Sequence, residues 1–254
     1  DKLDIEFVYT KKNKFILLQV RPLLIDKIFS KKNFLQSCSQ LEKKIKKIQI
    51  QVDGLYGKTT YFGVMPDWNP AEMIGIKPNP LALSLYKNLI TDNIWAKSRS
   101  NYGYNDARPN QLMTTFFGTP FIDLRVDINS WLPKNIPSKL KTQLSNYYLK
   151  KFSLNKDMHD KIEFDIIFSS FYFNLREKLD KNLKNIINKK NKEILLKELK
   201  NITLNSLKKI DVELEKIKLL KEKQDRISKK NIYEIDKIYW LIQDCRKYGT
   251  LPFA

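Results

Sequence analysis

The spacing of apolar residues predicts a β-hairpin followed by a helix in the first 52 residues. The runs LDIEFVYT and KFILLQVRP are short and apolar, and KKN separates them, so they predict two antiparallel strands that end at Pro22. From Asn33 to about Val52, apolar residues recur at steps of three and four, which is typical of an amphipathic helix.

The middle of the chain mixes both patterns. The prolines of FGVMPDWNPAEMIGIKPNP exclude a long helix or an inner strand there, so residues 62–80 are predicted to form a shaped loop. The stretch PLALSLYKNLITDNIWAKSRSNYGY predicts one or two helices, QLMTTFFG and PFIDLRVDI predict strands, and SKLKTQLSNYYLKKF predicts a helix. This mixture indicates an α+β core.

Lysine-rich helices are predicted from about Phe171 onward. Apolar residues recur at helical spacing between charged positions, and NIYEIDKIYWLIQDCRKYG predicts a final helix with a broad apolar face. We therefore expect an antiparallel helical hairpin packed on the core. The expected fold class is α+β, with a mixed core, a small N-terminal β-hairpin and a C-terminal helical hairpin or bundle, divided into residues 1–24, 25–170 and 171–254.

The formal net charge of +19 raises the possibility of a nucleic-acid partner. Lysine is spread along the chain with asparagine and isoleucine, and no basic block alternates with aromatic residues that could stack on bases. A solvated lysine-rich face is the favoured interpretation, and a basic helical module that binds nucleic acid remains the alternative from another class.

The cysteines and the apolar runs bear on the compartment. Cys38 and Cys245 are far apart and belong to no CxxC or Cys/His cluster, so they predict buried thiols and neither zinc nor a disulfide framework. No apolar run reaches the roughly 20 residues of a membrane-spanning helix, and DKLDIEF lacks the layout of a signal peptide. We expect a cytoplasmic protein without a membrane partner. The start without methionine on a strand pattern, and the apolar ending YGTLPFA, suggest a piece of a longer polypeptide.

The predicted hairpin carries three polar residues that suit a magnesium-bound polyphosphate. Glu6, Gln19 and Arg21 have matching parity on adjacent strands and are expected to share one face. Carboxylate and amide oxygens ligate a hard cation, and a guanidinium forks onto phosphate oxygens. The alternative is a surface strand pair with an ordinary ion pair.

The stretch DIEFVYTKKNKFILLQVRP resembles the closing hairpin of the ATP-grasp nucleotide-binding domain in the pyruvate phosphate dikinase and phosphoenolpyruvate synthase family. The resemblance covers about the first 22 residues. It implies that Glu6, Gln19 and Arg21 contact the phosphates of ATP and Mg²⁺, and that the remainder of the ATP-grasp domain lies outside this sequence.

A second resemblance covers most of the remaining chain. The segments MPDWNPAEMIG, FIDLRVDINSWLP, HDKIEFD and IYWLIQDCRKYGTLPFA resemble the central region of a dikinase-like subgroup from capsule gene clusters, the L-glutamine kinases of capsular phosphoramidate biosynthesis. The resemblance implies a transferase that converts ATP, L-glutamine and water to AMP, phosphate and L-glutamine phosphate. A phosphoenolpyruvate synthase or a rifampin phosphotransferase relative is the alternative within the enzyme class.

The family mechanism implies a phosphohistidine in a TxGGxxSH type of segment, and this sequence contains no such segment. His159, the single histidine, is therefore not expected to carry the phosphoryl group. We expect the missing ATP-grasp and phosphohistidine domains to belong to the same polypeptide, and this piece to be inactive alone. A purely structural hinge, which binds no small molecule, is a further alternative.

An amino-acid acceptor needs a guanidinium for its carboxylate and acidic or amide groups for its ammonium. The proline-rich loop and the FIDLRVDINSW strand supply these groups, with a rigid crossover capped by Asp67 or Asn69 as the alternative role for the loop. His159 is either an acceptor-site residue with Asp160 and Glu163 or a hydrogen-bonded structural histidine. The candidate substrate-binding residues are Asp67, Asn69, Glu72, Arg108, Asp123, Arg125, Asn129, His159 and Glu163.

Overall fold

The computed structural model describes residues 3–22, 31–50, 52, 54–64, 68–154 and 165–230. The chain divides into two compact units, residues 1–45 and 46–254. No helix in the described ranges combines the length and the apolar composition that crossing a membrane requires. The predicted domain boundaries were after residues 24 and 170. One hydrophobic core cluster of the second unit contains residues on both sides of residue 170.

The first unit contains the predicted hairpin. Strands β1 (Leu3–Tyr9) and β2 (Phe15–Pro22) pair antiparallel, and the amide of Thr10 donates to the carbonyl of Lys14 at 2.9 Å to close the connection. The register shifts between Glu6 and Phe7. The helix predicted over 33–52 is observed as α1 (Lys31–Gln49).

A three-stranded antiparallel sheet lies in the second unit. Strand β5 (Thr119–Asp123) is central, between β3 (Phe62–Gly63) and β4 (Met113–Phe116). Four short helical segments precede β4 along the chain, and their bounds are α2 (Pro70–Met73), α3 (Pro80–Tyr86), a π-helical stretch (Lys87–Thr91) and α4 (Ile94–Asn101). One core cluster joins this part through residues such as Trp95, Leu112 and Ile122. The helices predicted between Pro80 and Tyr104 are thus confirmed.

The predicted strand PFIDLRVDI is wrong in its second half. The strand ends at Asp123, and residues 124–131 form helix α5 (Leu124–Trp131). The Asp123 carboxylate accepts hydrogen bonds from the backbone amides of Arg125 and Val126, which caps the new helix. Every residue from 124 to 130 is buried, so the apolar residues fit the alternation of a strand as well as the spacing of a helix. The strand prediction did not include the helix cap at Asp123.

Helices dominate the C-terminal part. Helix α6 (Ser138–Leu154), helix α7 (Leu175–Leu183) and the first turns of α8 (Lys189–Lys230) share a second core cluster with α5. Along α8, Leu195 and Leu199 are buried, whereas Leu207 and Leu214 are largely exposed. A helix of 42 residues is about 63 Å long at the α-helical rise. The predicted final helix lies outside the described residues. The α+β fold class, with its hairpin and C-terminal helices, is confirmed.

Candidate functional site

The hairpin places its polar side chains on one face, as the parity argument predicts. Glu6 is directly opposite Gln19, and Asp4 is directly opposite Arg21 two residues along, so all four share one side of the pleat. Asp4 was not among the predicted residues, although it has the same parity as Glu6 and so belongs to the same face. Four polar groups rather than three therefore meet on this face.

Arg21 forms an exposed ion pair on that face. Its Nε donates to a carboxylate oxygen of Asp4 at 2.7 Å, and this hydrogen bond raises the pKa of the guanidinium above its ordinary value. The side chains of Arg21 and Asp4 are 56% and 38% exposed, so an incoming anion can reach the guanidinium without displacing the core. The ion pair connects Arg21 to the opposite strand, and more than half of the Arg21 side chain stays exposed.

The hairpin donor set fits Mg²⁺ in type but not in number. Glu6 and Gln19 supply one carboxylate and one amide, which are ligands that Mg²⁺ accepts. No cluster of three or more acidic, cysteine or histidine side chains suited to a metal occurs among the described residues. Mg²⁺ on this face would therefore share its coordination with phosphate oxygens and water, which is how proteins usually hold it.

The proline-rich loop uses its asparagine as a helix cap. Asn69 has φ of 30°, is buried, and accepts a hydrogen bond from the amide of Glu72 through its side-chain oxygen. Pro70 occupies the first position of α2, where its missing amide costs nothing. Asn69 thus fits the capped-crossover alternative, while the Glu72 side chain is exposed. Asp67 lies outside the described residues.

Asp123, Arg125 and Asn129 lie in the interior of the second unit. Arg125 is 1% exposed, and its guanidinium donates to the carbonyl oxygens of Ile48 at 2.8 Å and Ile50 at 3.1 Å. Burial raises the pKa of the Asp123 carboxyl, which also accepts a hydrogen bond from Thr60 at 2.5 Å.

Asn129 holds a loop residue by a pair of hydrogen bonds. Its side-chain oxygen accepts from the amide of Tyr56 at 2.7 Å, and its side-chain nitrogen donates to the carbonyl of Tyr56 at 2.7 Å. Asp123, Arg125 and Asn129 thus use their side chains for hydrogen bonds to other residues of the protein.

The remaining candidates lie apart from that interior group. Arg108 and Asp106 form an exposed pair in which the guanidinium donates to both carboxylate oxygens. That pairing lowers the pKa of Asp106 below its ordinary value. His159 and Glu163 lie outside the described residues.

A cleft of about 620 Å³, which the sequence did not predict, lies beside α6 and α7. The described residues that line it include three lysines and one carboxylate, together with the aromatic residues Tyr147, Phe168 and Tyr172. The lysines had been interpreted as part of a solvated face. Only the fold shows that Lys151 of α6 and Lys178 and Lys181 of α7 line the same space. The polar lining includes Lys151, Asp165, Ser170, Lys178, Lys181 and Asn182.

Comparison of the chain with known proteins found no match. No protein-family model matches the chain, no curated protein matches it in sequence, and no solved structure matches it. The functional argument therefore rests on the residues described above and on the resemblance of the sequence segments.

Proposed function

We propose that this chain is part of an ATP-dependent dikinase-type phosphotransferase, an L-glutamine kinase that forms L-glutamine phosphate, AMP and phosphate. The observation that carries the proposal is the polar face of the hairpin, where Glu6, Gln19 and Arg21 lie together. The resemblance of this hairpin to the end of an ATP-grasp domain gives the same three residues contact with the nucleotide.

The chemistry of that face suits a polyphosphate. A guanidinium forms short, charge-assisted hydrogen bonds to phosphate oxygens, often two at a time. Bound Mg²⁺ would neutralise part of the phosphate charge, with Glu6 and Gln19 as its protein ligands. Asp4 orients Arg21 through their ion pair, so that the guanidinium is held in place before the nucleotide arrives.

The acceptor in this proposal is L-glutamine. Of the described residues expected to bind it, Glu72 and Arg108 have exposed side chains. Arg108 beside Asp106 offers a cation for the α-carboxylate and an anion for the α-ammonium of an amino acid. We place the activity in the cytoplasm, where ATP is available, and in capsule biosynthesis.

Calorimetric titration of the whole chain with ATP, with and without Mg²⁺, tests the nucleotide role. We expect Arg21→Gln to weaken ATP binding by about tenfold or more, because a charge-assisted pair of hydrogen bonds is lost. Glu6→Gln should reduce the dependence on Mg²⁺. Lys11→Gln, in the turn of the same hairpin, is the matched control for a lost positive charge. Equal affinities for the wild type, Arg21→Gln and Lys11→Gln would contradict the proposal.

A second titration separates the acceptors. L-glutamine should bind, and L-glutamate and pyruvate should not. Preference for pyruvate would instead favour the phosphoenolpyruvate synthase alternative, and absence of binding by all three would favour the structural hinge.

A further inference from the structure

The cleft beside α6 and α7 has no role in the function proposed above. It lies between the helix face that carries Tyr147 and Lys151, the irregular segment 165–172, and the helix face that carries Lys178 and Lys181. Its volume of about 620 Å³ falls within the roughly 300–1,000 Å³ range of small-molecule sites. We propose that this cleft binds a phosphate-bearing small molecule with a flat ring, such as a nucleoside monophosphate.

The charge of the lining selects an anion. Among the described residues, three lysines and a single carboxylate, Asp165, line the space. Within the described part of the chain, Lys178 and Lys181 form no ion pair with a carboxylate, unlike Lys192 on the neighbouring helix, which pairs with Asp180. Two ammonium groups one helical turn apart can donate to the same phosphate group.

The aromatic lining selects a ring beside the phosphate. Tyr147, Phe168 and Tyr172 are all partly exposed toward the cleft. The Lys178 ammonium lies 5.0 Å from the centroid of the Tyr172 ring, so a cation and an aromatic face are already adjacent. Aromatic rings stack on any nucleobase. The cleft therefore offers lysines to the phosphate of a nucleotide and aromatic rings to its base.

Residues 168–171 of the irregular segment are held in place by side chains from three other parts of the chain. The Phe168 amide donates to the Tyr148 hydroxyl at 3.3 Å, the Ser169 carbonyl accepts from Tyr104 at 2.7 Å, and the Phe171 amide donates to the Thr203 hydroxyl at 2.8 Å. Loop residues fixed in this way on a scaffold lose little conformational freedom on binding. The cleft is therefore preformed on this side.

Asp165 argues against free phosphate as the preferred ligand. A carboxylate in the lining repels a small dianion, whereas it accepts hydrogen bonds from the hydroxyl or amino groups of a larger organic phosphate. Free phosphate and nucleoside phosphates both present phosphate oxygens to the lysines, so both ligands are titrated in the experiment below.

The experiment is a calorimetric titration of the whole chain with AMP, adenosine and inorganic phosphate at fixed ionic strength. We expect AMP to bind more tightly than either of its two parts. The double variant K178A/K181A should weaken AMP binding by about tenfold or more. The control K184A/K190A lowers the net charge by the same amount. It should leave AMP binding unchanged, because these two exposed lysines lie outside the cleft lining. Tyr172→Leu should weaken AMP but not inorganic phosphate.

Three outcomes would overturn the inference. One is absence of AMP binding at millimolar concentration, and a second is an equal loss in the two double-lysine variants, which would indicate nonspecific attraction. The third is AMP binding that is lost in Arg21→Gln and kept in K178A/K181A, which would assign the nucleotide to the hairpin. That last result would leave the proposed function standing, whereas failure of ATP binding at the hairpin would leave the cleft unaffected.

Discussion

The Tyr104 hydroxyl donates a hydrogen bond to the carbonyl oxygen of Ser169 at 2.7 Å, across 65 residues of sequence. Burial raises the pKa of Tyr104 to about 12, with a smaller opposing effect from the Arg99 charge. The phenol therefore stays protonated, and remains a donor, over the whole neutral and mildly alkaline range. This single contact ties the loop between α4 and β4 to one side of the cleft.

Tyr104→Phe should lower the free energy of unfolding by about 1 kcal/mol at pH 8, the net value of one hydrogen bond. The pKa of Tyr104 is higher in the folded state than in the unfolded state. The contribution of Tyr104 to stability is therefore complete below the unfolded pKa of about 10 and is lost as the pH rises toward the folded pKa. Between pH 10 and pH 12 the wild type should therefore lose stability relative to Tyr104→Phe, which has no phenol to ionise, until the order of the two proteins reverses. Urea denaturation at pH 8 and pH 11 measures it, and a pH-independent difference would contradict the assignment.

Arg99 and Asp127 form a buried ion pair, with the guanidinium nitrogen 2.9 Å from the carboxylate oxygen. Their side chains are 10% and 0% exposed, and the Arg99 guanidinium also lies 3.8 Å from the centroid of the Trp131 ring. Asp127→Ala should cost about 3–5 kcal/mol, because it leaves a buried charge without its partner.

The double variant R99L/D127L removes both charges and should cost much less than Asp127→Ala alone. Chemical denaturation of the two variants and the wild type gives the comparison. If the double variant is the less stable of the two, the pair contributes more than charge compensation and the argument fails.

Arg125 separates a structural role from a role in acceptor binding. Arg125→Ala removes two hydrogen bonds to the carbonyls of Ile48 and Ile50 and should lower the free energy of unfolding by roughly 3 kcal/mol or more. Arg125→Lys keeps the charge but not the fork, so it should recover only part of that stability. Thermal denaturation checks both variants. A stable Arg125→Ala protein that has lost glutamine binding would instead support the expected acceptor role.

Asp106 gives a pH prediction that involves an exposed pair. Arg108 lowers the pKa of Asp106, chiefly through side-chain hydrogen bonds, so Arg108→Ala should move that pKa back up toward its ordinary value. Because the folded pKa is the lower one, the stabilisation exists above about pH 4 and is lost as pH falls further. Both side chains are more than a third exposed, which limits the contribution to under about 1 kcal/mol.

Carboxyl-carbon NMR titration of Asp106 provides the measurement. Lys134→Ala is the control, since the charge of Lys134 is the smallest of the influences on this carboxyl. Equal shifts in the two variants would show that general charge, and not the Arg108 hydrogen bonds, sets the pKa.

The sequence predicted the hairpin face because strand parity is a local property. Glu6 and Gln19 are opposite each other as expected, and the register shift comes only after Glu6. Helix α5 was missed because Ile122, Leu124, Val126 and Ile128 alternate as in a strand, while complete burial removes the polar face that marks a helix.

The cleft could not be predicted because it depends on long-range proximity. Lys178 and Tyr147 are ordinary residues of amphipathic helices when considered alone. Nothing local indicates that segment 168–171 forms hydrogen bonds with Tyr104, Tyr148 and Thr203. Contacts between residues this far apart arise only once the chain has packed.

The paired hydrogen bonds between Asn129 and Tyr56 make one side chain act as a surrogate peptide group. A primary amide carries one donor and one acceptor side by side, so Asn129 meets the amide and the carbonyl of Tyr56 as a neighbouring strand would. Aspartate has nearly the same shape, but when ionised it would set a second acceptor against the Tyr56 carbonyl. The choice of residue at position 129 is thus dictated by the main chain that it imitates.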